Sequence, residues 1–473
     1  MHVIDFVSIS TGIFENLFFA GAIFGWPSLQ YVLIKEGYFH EQCNSTGTSL
    51  SQNVTGLQEL KSCPAMMNMF SLVFTLAMVF LNFSTLFFGF IMDRYGTWVM
   101  RSIATALYSL AFILLSCMTV KTPGLLFPAM IFIAGGGKQM LVSNMQLGNL
   151  SESGKSIVIS LMNGAFDSSA LTFVLIKILY DSGVKLQMMM IAMVCLTIIP
   201  WLRTFMVMPK RTVPFPLPQG YLYGTFKSCQ GARPRVSPEE RLNSSPTQSN
   251  NQEEEGLKAC LQNILFWSNL LYYCLGHLHF VCFMGSFVGW VETIYSRNQD
   301  INFYTTLLGF VLLGGLVTAP FNGVLTVTVI KCKKRFSSRT AVFYGLLASI
   351  VTTSIFSVLL SVSTLIRNVQ TSVVFVLLFR AFLYSGVGNF IARAFPAKHF
   401  GKLYGLSAAA VGLSSFLQYA LFKVSSSFDP TFKVMHSMLL CCNVLAFIHP
   451  LLIGIKLRQR LRYEGMSSEI SPQ

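Results

Sequence analysis

Charge is what this chain lacks most. Only 11% of its 473 residues are Asp, Glu, Lys or Arg, against roughly 25% in an ordinary soluble domain, so a water-facing surface of normal size cannot be built from them. Recognisable chemistry is missing too. There is no zinc-ligand spacing, no Walker loop, no Gly-x-Ser-x-Gly elbow and no dinucleotide fingerprint, which leaves an enzyme reading without chemistry and calls for neither cofactor nor metal. No basic leader precedes the first apolar run, which also carries Glu15 and a turn-like Gly25-Trp26-Pro27; it reads as a first helix, kinked or ending near Pro27, and not as a cleaved signal peptide.

What is present in quantity is apolar: 53% of the chain is hydrophobic. Twelve runs of roughly spanning length stand at about 8–34, 66–91, 99–118, 123–147, 156–180, 184–207, 262–290, 302–330, 340–363, 371–394, 403–424 and 433–455. The expected fold class is an all-α membrane protein of twelve transmembrane helices, a bilayer being its obligatory partner. Between runs six and seven the composition turns to Pro, then to Ser, Asn, Gln and Glu, and cannot bury a core. The expected organisation is a six-helix bundle over 1–207, a cytosolic disordered linker over 208–261, a second six-helix bundle over 262–456 and a cytosolic tail over 457–473.

The formal net charge of +15 admits a nucleic-acid reading until the basic residues are placed. Loops on the linker's side, with the tail, hold 23 of the 34 Lys and Arg, against about 8 on the opposite side. The positive-inside rule then puts linker and both termini in the cytosol, and nucleic acid is unnecessary. The first loop falls outside. It contains Asn44-Ser-Thr and Asn53-Val-Thr, two acceptor sequons, together with Cys43 and Cys63, where a disulfide is expected in an oxidising compartment. The other cysteines read as small buried hydrophobes.

Ionisable groups inside apolar runs cost several kcal/mol unless they face protein or water, and are therefore site candidates. Asp167 is the foremost, in Asn163-Gly-Ala-Phe-Asp167-Ser-Ser-Ala170. Asn163 and Asp167 share one helical face beside Phe166, and small neighbours permit close approach. A substrate contact and a purely structural pairing both remain open. Glu15 and Arg380 are expected either to line a pathway or to pair with each other; Lys138 to reach Asp167 or Glu15; and Lys177, near the outer end of its run, to snorkel. His277 and His279 read as packed, with a substrate contact from His277 as the alternative.

Between runs two and three stands Gly89-Phe-Ile-Met-Asp93-Arg94-Tyr-Gly96, followed by Arg101. It resembles the G-x-x-x-D-R-x-G loop of the major facilitator superfamily, whose two halves rock about a midplane site. The resemblance implies gating roles for Gly89, Asp93, Arg94, Gly96 and Arg101, with Gly89 allowing helices to approach. The corresponding stretch of the second half, Gly323-Val-Leu-Thr-Val327-Thr328, has neither the acid nor the base.

Five further stretches resemble solute carrier family 43: Phe19-Ala-Gly-Ala-Ile-Phe-Gly-Trp26-Pro27-Ser-Leu29, the Asp167 segment, Arg203-Thr-Phe-Met-Val-Met-Pro209 with Pro214-Phe-Pro-Leu-Pro218, Arg380-Ala-Phe-Leu-Tyr384, and Phe395-Pro-Ala-Lys-His399-Phe-Gly-Lys402-Leu-Tyr-Gly405. Phe-Asp-Ser-Ser and Gly-Trp-Pro-Ser are similar to its equilibrative nucleobase branch; the amino-acid branch carries Tyr-Ala-Ser-Ser and Gly-Trp-Gly-Ser. Lys138, in an apolar position of helix four, departs from the pattern. The resemblance implies facilitative transport of purine nucleobases (adenine, guanine, hypoxanthine) across the plasma membrane by alternating access, with no obligate protein partner. Residue types agree: Phe166 and Tyr384 offer aromatic faces, while Asn163, Asp167 and Asn389 offer edge contacts. Two alternatives stand beside it. Asp167 and Arg380 would also suit the ammonium and carboxylate of a large neutral amino acid, and the degenerate second-half stretch suits a transporter-like scaffold that moves no solute.

Overall fold

The computed structural model describes residues 3–44, 63–150, 155–213, 223, 256–295, 297–333, 336–396, 399–429 and 431–470. Twelve helical spans run through them. In the first half these are α1 (Asp5–Ala20 and Ala22–Lys35), α2 (Pro64–Tyr95), α3 (Thr97–Cys117), α4 (Pro123–Leu150), α5 (Lys155–Asp167, a tighter turn over Ser168–Ala170, then Leu171–Asp181) and α6 (Leu186–Met206). The second half comprises α7 (Ile264–Ile294), α8 (Asn298–Leu313 and Gly315–Cys332), α9 (Ser338–Leu365), α10 (Val369–Ala394), α11 (Phe400–Ser425) and α12 (Lys433–Arg462). The last helix continues to Ile470, into the stretch expected as tail. Most of the linker and Asn53 lie outside the described residues.

Capping follows the local sequence. Pro64 opens α2 at the position where its missing N–H costs nothing, and the side chains of Asn263, Ser337 and Asn368 accept from Leu265 N, Thr340 N and Thr371 N to start α7, α9 and α10. The outward residues are apolar: Met188, Val317, Ile366 and Leu451 are each more than 60% exposed, as a lipid-facing surface requires. The centrally placed α7 is 89% buried over its most apolar window.

The halves meet in two matching seams. α2 packs against α11, and α8 packs against α5, the same pair of positions with the halves exchanged. α1 is bent by 43°, and the bend lies at Gly21, not at Pro27 as the sequence suggests. Pro27 instead sits in the first turn of the helix from Trp26, where its fixed φ suits a helix start. Gly21 is required by crowding, since a Cβ there would lie 2.3 Å from the Phe166 carbonyl oxygen.

A turn at Gly96, with φ of 90°, joins α2 to α3, a conformation that favours glycine. Two readings of this region need correction. Gly89 has open space where a Cβ would go, so no helix approaches it here. Residues 323–328 lie within the continuous helix Gly315–Cys332 and form no loop.

Candidate functional site

The two broken helices, α1 and α8, are closed by one turn of α5. Ser168 Oγ donates to Leu313 O at 2.8 Å and accepts from Leu316 N at 2.9 Å, filling the break in α8. Ser169 Oγ accepts from Gly21 N at 3.0 Å, and Thr172 Oγ1 donates to Phe18 O at 2.6 Å, which serves the break in α1. Backbone groups freed within a membrane need such partners, and hydroxyls on a neighbouring helix supply them. The Ser-Ser pair was quoted in the sequence for its small size; its bonding role depends on breaks that hydropathy does not reveal.

Asp167 stands at the head of this turn. Arg380, from α10 in the other half, donates from Nη2 to Asp167 Oδ1 at 2.7 Å and from Nη1 to the Asp167 carbonyl at 3.2 Å. Among the described residues Asp167 Oδ2 has no hydrogen-bond partner. Arg380 carries its guanidinium 3.7 Å from the Phe24 ring centroid and 5.0 Å from that of Phe280, close enough for cation–π attraction. Phe166 meets Phe24 edge to face at 5.2 Å. Phe280 reaches Tyr384 at 6.2 Å, whose hydroxyl lies 2.8 Å from His277 Nδ1. His277 Nε2 in turn faces Ser415 Oγ at 3.1 Å and Asn82 Nδ2, across the α2 seam, at 3.3 Å.

Of the residues picked from sequence, the structure thus gathers Phe166, Asp167, Arg380 and Tyr384, with His277 bonded to Tyr384, and adds Phe24 and Phe280. Phe24 and Phe280 lie among many apolar neighbours and carry no signal of their own. Asn163 is partly buried and spends its amide on Ile159 O at 3.0 Å within its own helix. Asn389 is half-buried on α10, nine residues beyond Arg380, which puts it about 13 Å along the axis and on the opposite face; it does not join the cluster. A crevice between the halves is lined by Asp167, Leu312, Gly315, Leu377, Arg380 and Ala381. In this closed arrangement it has no room for a water molecule.

Glu15 belongs elsewhere. It neither pairs with Arg380 nor lines this crevice: it is fully buried inside the first half, bonded by Arg101 Nη2 at 2.5 Å, by Arg203 Nη1 and by Asn144 Nδ2 at 2.9 Å. Asn144 Oδ1 also accepts from Arg101 and Arg203, and Ser143, Thr204, Thr11 and the Ser8 carbonyl accept further guanidinium donors. The network ties α1, α3, α4 and α6 together. Arg101, expected as a gating residue of the loop, is one of its members with no exposed surface. Arg203 and Asn144 were missed as partners although both lie inside apolar runs, which was the available signal. Tyr223, from the linker, bonds Asp5 Oδ1 at 3.2 Å and Ser8 Oγ at 3.0 Å beside it.

Of the other gating residues, Arg94 is exposed over the Tyr95 ring, and the Asp93 side chain lies outside the described residues. Lys177 does not snorkel. It is fully buried and bonds to Asn302 and Thr306 of α8. Cys43 and Cys63 are joined in a disulfide that fastens the short helix Glu41–Asn44 to the start of α2. Among the described residues no cluster of His, Cys, Asp and Glu is able to hold a metal.

A family model described as the Major Facilitator Superfamily matches residues 44–419. The chain is 33% identical to Equilibrative nucleobase transporter 1 of Bos taurus over 94% of this chain and 95% of that one. It is 25% identical to Large neutral amino acids transporter small subunit 3 of Mus musculus over 98% and 95%. Two solved structures share the fold, each with a TM-score of 0.56. An auto-inhibited POT family peptide transporter is 13% identical over 96% of this chain and 97% of its own, and a D-xylose-proton symporter is 12% identical over 94% and 96%.

Proposed function

The chain belongs to the major facilitator superfamily and, within it, to solute carrier family 43, and from that premise we propose that it equilibrates purine nucleobases across the plasma membrane. It is a multi-pass membrane transporter for a small molecule, not an enzyme. The observation that carries the finer reading is the Asp167–Arg380 bond across the halves, set among Phe24, Phe166 and Phe280. A purine has a flat face and an edge of N–H donors and ring acceptors. Asp167 Oδ2 accepts from such an edge, the guanidinium of Arg380 donates to it, and the rings supply the apolar walls. Higher identity to the nucleobase carrier than to the amino-acid carrier supports the same choice.

Transport follows from where the pair sits. Rocking one half against the other parts α5 from α8 on one side of the bilayer and closes them on the other. Substrate entering the parted crevice competes for Asp167 and Arg380, so the bond holding the halves together is exchanged for bonds to cargo. The excess of basic residues on the linker's side supports cytosolic termini.

Large neutral amino acids form the second reading. The paired opposite charges of Asp167 and Arg380 favour it, matching an ammonium and a carboxylate. Uptake of labelled adenine and labelled leucine, compared in expressing and control cells, separates the two. Adenine uptake above control without leucine uptake is expected; leucine uptake without adenine would overturn the nucleobase reading.

A further inference from the structure

Lys138, on α4, is a third charge at the central site, and its surroundings compensate it only in part. Its Nζ lies 5.0 Å from the centroid of Phe166, the residue immediately before Asp167. Among the described residues the Lys138 ammonium makes no hydrogen bond and no ion pair. Asp167 attracts it without pairing with it, because the Asp167 side chain is turned to Arg380, which donates to Oδ1 at 2.7 Å and to the backbone carbonyl at 3.2 Å. His277, bonded to Tyr384, Ser415 and Asn82, brings no anion. Glu15 is enclosed by two arginines of its own. Asp167, Arg380 and Lys138 therefore sum to one excess positive charge deep within the bilayer, where an unbalanced ion is costly and the face of one phenyl ring compensates it only in part.

Resting on the nucleobase reading, we infer that the missing negative charge is brought by the substrate, and that the preferred cargo is a planar purine carrying one negative charge at neutral pH. Such a ligand stacks on Phe166, gives a ring N–H to the free Oδ2 of Asp167 and turns its anionic oxygen to Lys138. Loaded, the four charges sum to zero; with a neutral purine the excess remains. The site thus discriminates by charge at Lys138, and by shape at the phenyl rings.

Urate, a monoanion at neutral pH, and adenine, which is neutral, are the probes. Initial uptake of each is measured in cells expressing the parental chain or Lys138→Met, with both normalised to surface protein by biotinylation. The parental chain is expected to take up urate faster than adenine, and Lys138→Met to lower the urate-to-adenine ratio about tenfold. Methionine keeps the length of the side chain and removes only the charge, and Lys138→Arg is expected to hold the parental ratio. Adenine uptake with no urate uptake, or a ratio unmoved in Lys138→Met, overturns this inference while leaving the nucleobase reading in place. Uptake of neither purine overturns both.

Discussion

Lys177 on α5 donates to the backbone carbonyl of Asn302 on α8 at 2.9 Å, binding the two halves at the end of the bundle away from Gly96. It donates also to the Asn302 side chain and, at 2.5 Å, to Thr306 Oγ1. Asp181 Oδ2 lies 3.7 Å away, and the Tyr31 ring centroid 4.7 Å away. Lys35 holds the other oxygen of Asp181 at 3.3 Å. We propose that this fully buried ammonium, bonded to neutral oxygens of the opposite half, latches that end closed, since opening it exchanges these bonds for water.

With cytosolic termini, as proposed, this end faces outward, and Lys177→Met is expected to raise the fraction of molecules open to the outside. Apparent affinity scales with that fraction, so KM for external substrate is expected to fall several-fold while maximal uptake falls as well. Asp181 keeps Lys35, and no charge is stranded. Concentration dependence of uptake checks it; a KM equal to the parental value would mean that Lys177 does not restrain opening.

Asp167 and Arg380 make separable demands. Asp167→Ala strands a buried guanidinium, which costs about 3–5 kcal/mol for a broken buried pair, and surface protein is expected to collapse. Adding Arg380→Met removes the stranded charge and is expected to return protein to the surface, with transport still lost because both of the proposed substrate contacts are gone. Surface biotinylation and uptake read the two effects independently. Recovery of uptake along with surface protein in the double variant would make the pair structural only.

Glu15→Gln tests the corrected place of that carboxylate. Two arginines lose their counter-ion in a site closed to water, and the cost is again about 3–5 kcal/mol. A marked drop in the melting temperature of the purified protein is expected, with KM unchanged in whatever protein remains folded. A raised KM at unaltered melting temperature would return Glu15 to the substrate pathway.

Asn53 is expected to carry glycan and Asn44 little or none. Asn44 follows Cys43, which the disulfide holds at the start of α2, whereas Asn53 stands mid-loop in the sequence. Glycosidase treatment should increase gel mobility, and Asn53→Gln should abolish most of that change. A protein whose mobility does not respond, in cells that glycosylate a control, contradicts an outward first loop.

Spanning runs, their number and the prominence of Asp167 were legible in the sequence because the bilayer imposes them: a helix must be apolar for its full length, and an ion within it must be explained. Partner choice was not legible. A helix buried nearly all round, such as α7, has no polar face to fix its rotation, so periodicity does not say which charges will face each other. Tertiary packing gave Glu15 to Arg101 and Arg203, left Arg380 for Asp167, and turned Lys177 inward to α8. It also moved the bend of α1 to Gly21, where the Phe166 carbonyl leaves no room for a side chain. Composition determined that this chain lives in a membrane; the packing of its helices decided which of its few charges pair with one another, because each buried ion is satisfied only by the helix that happens to lie against it.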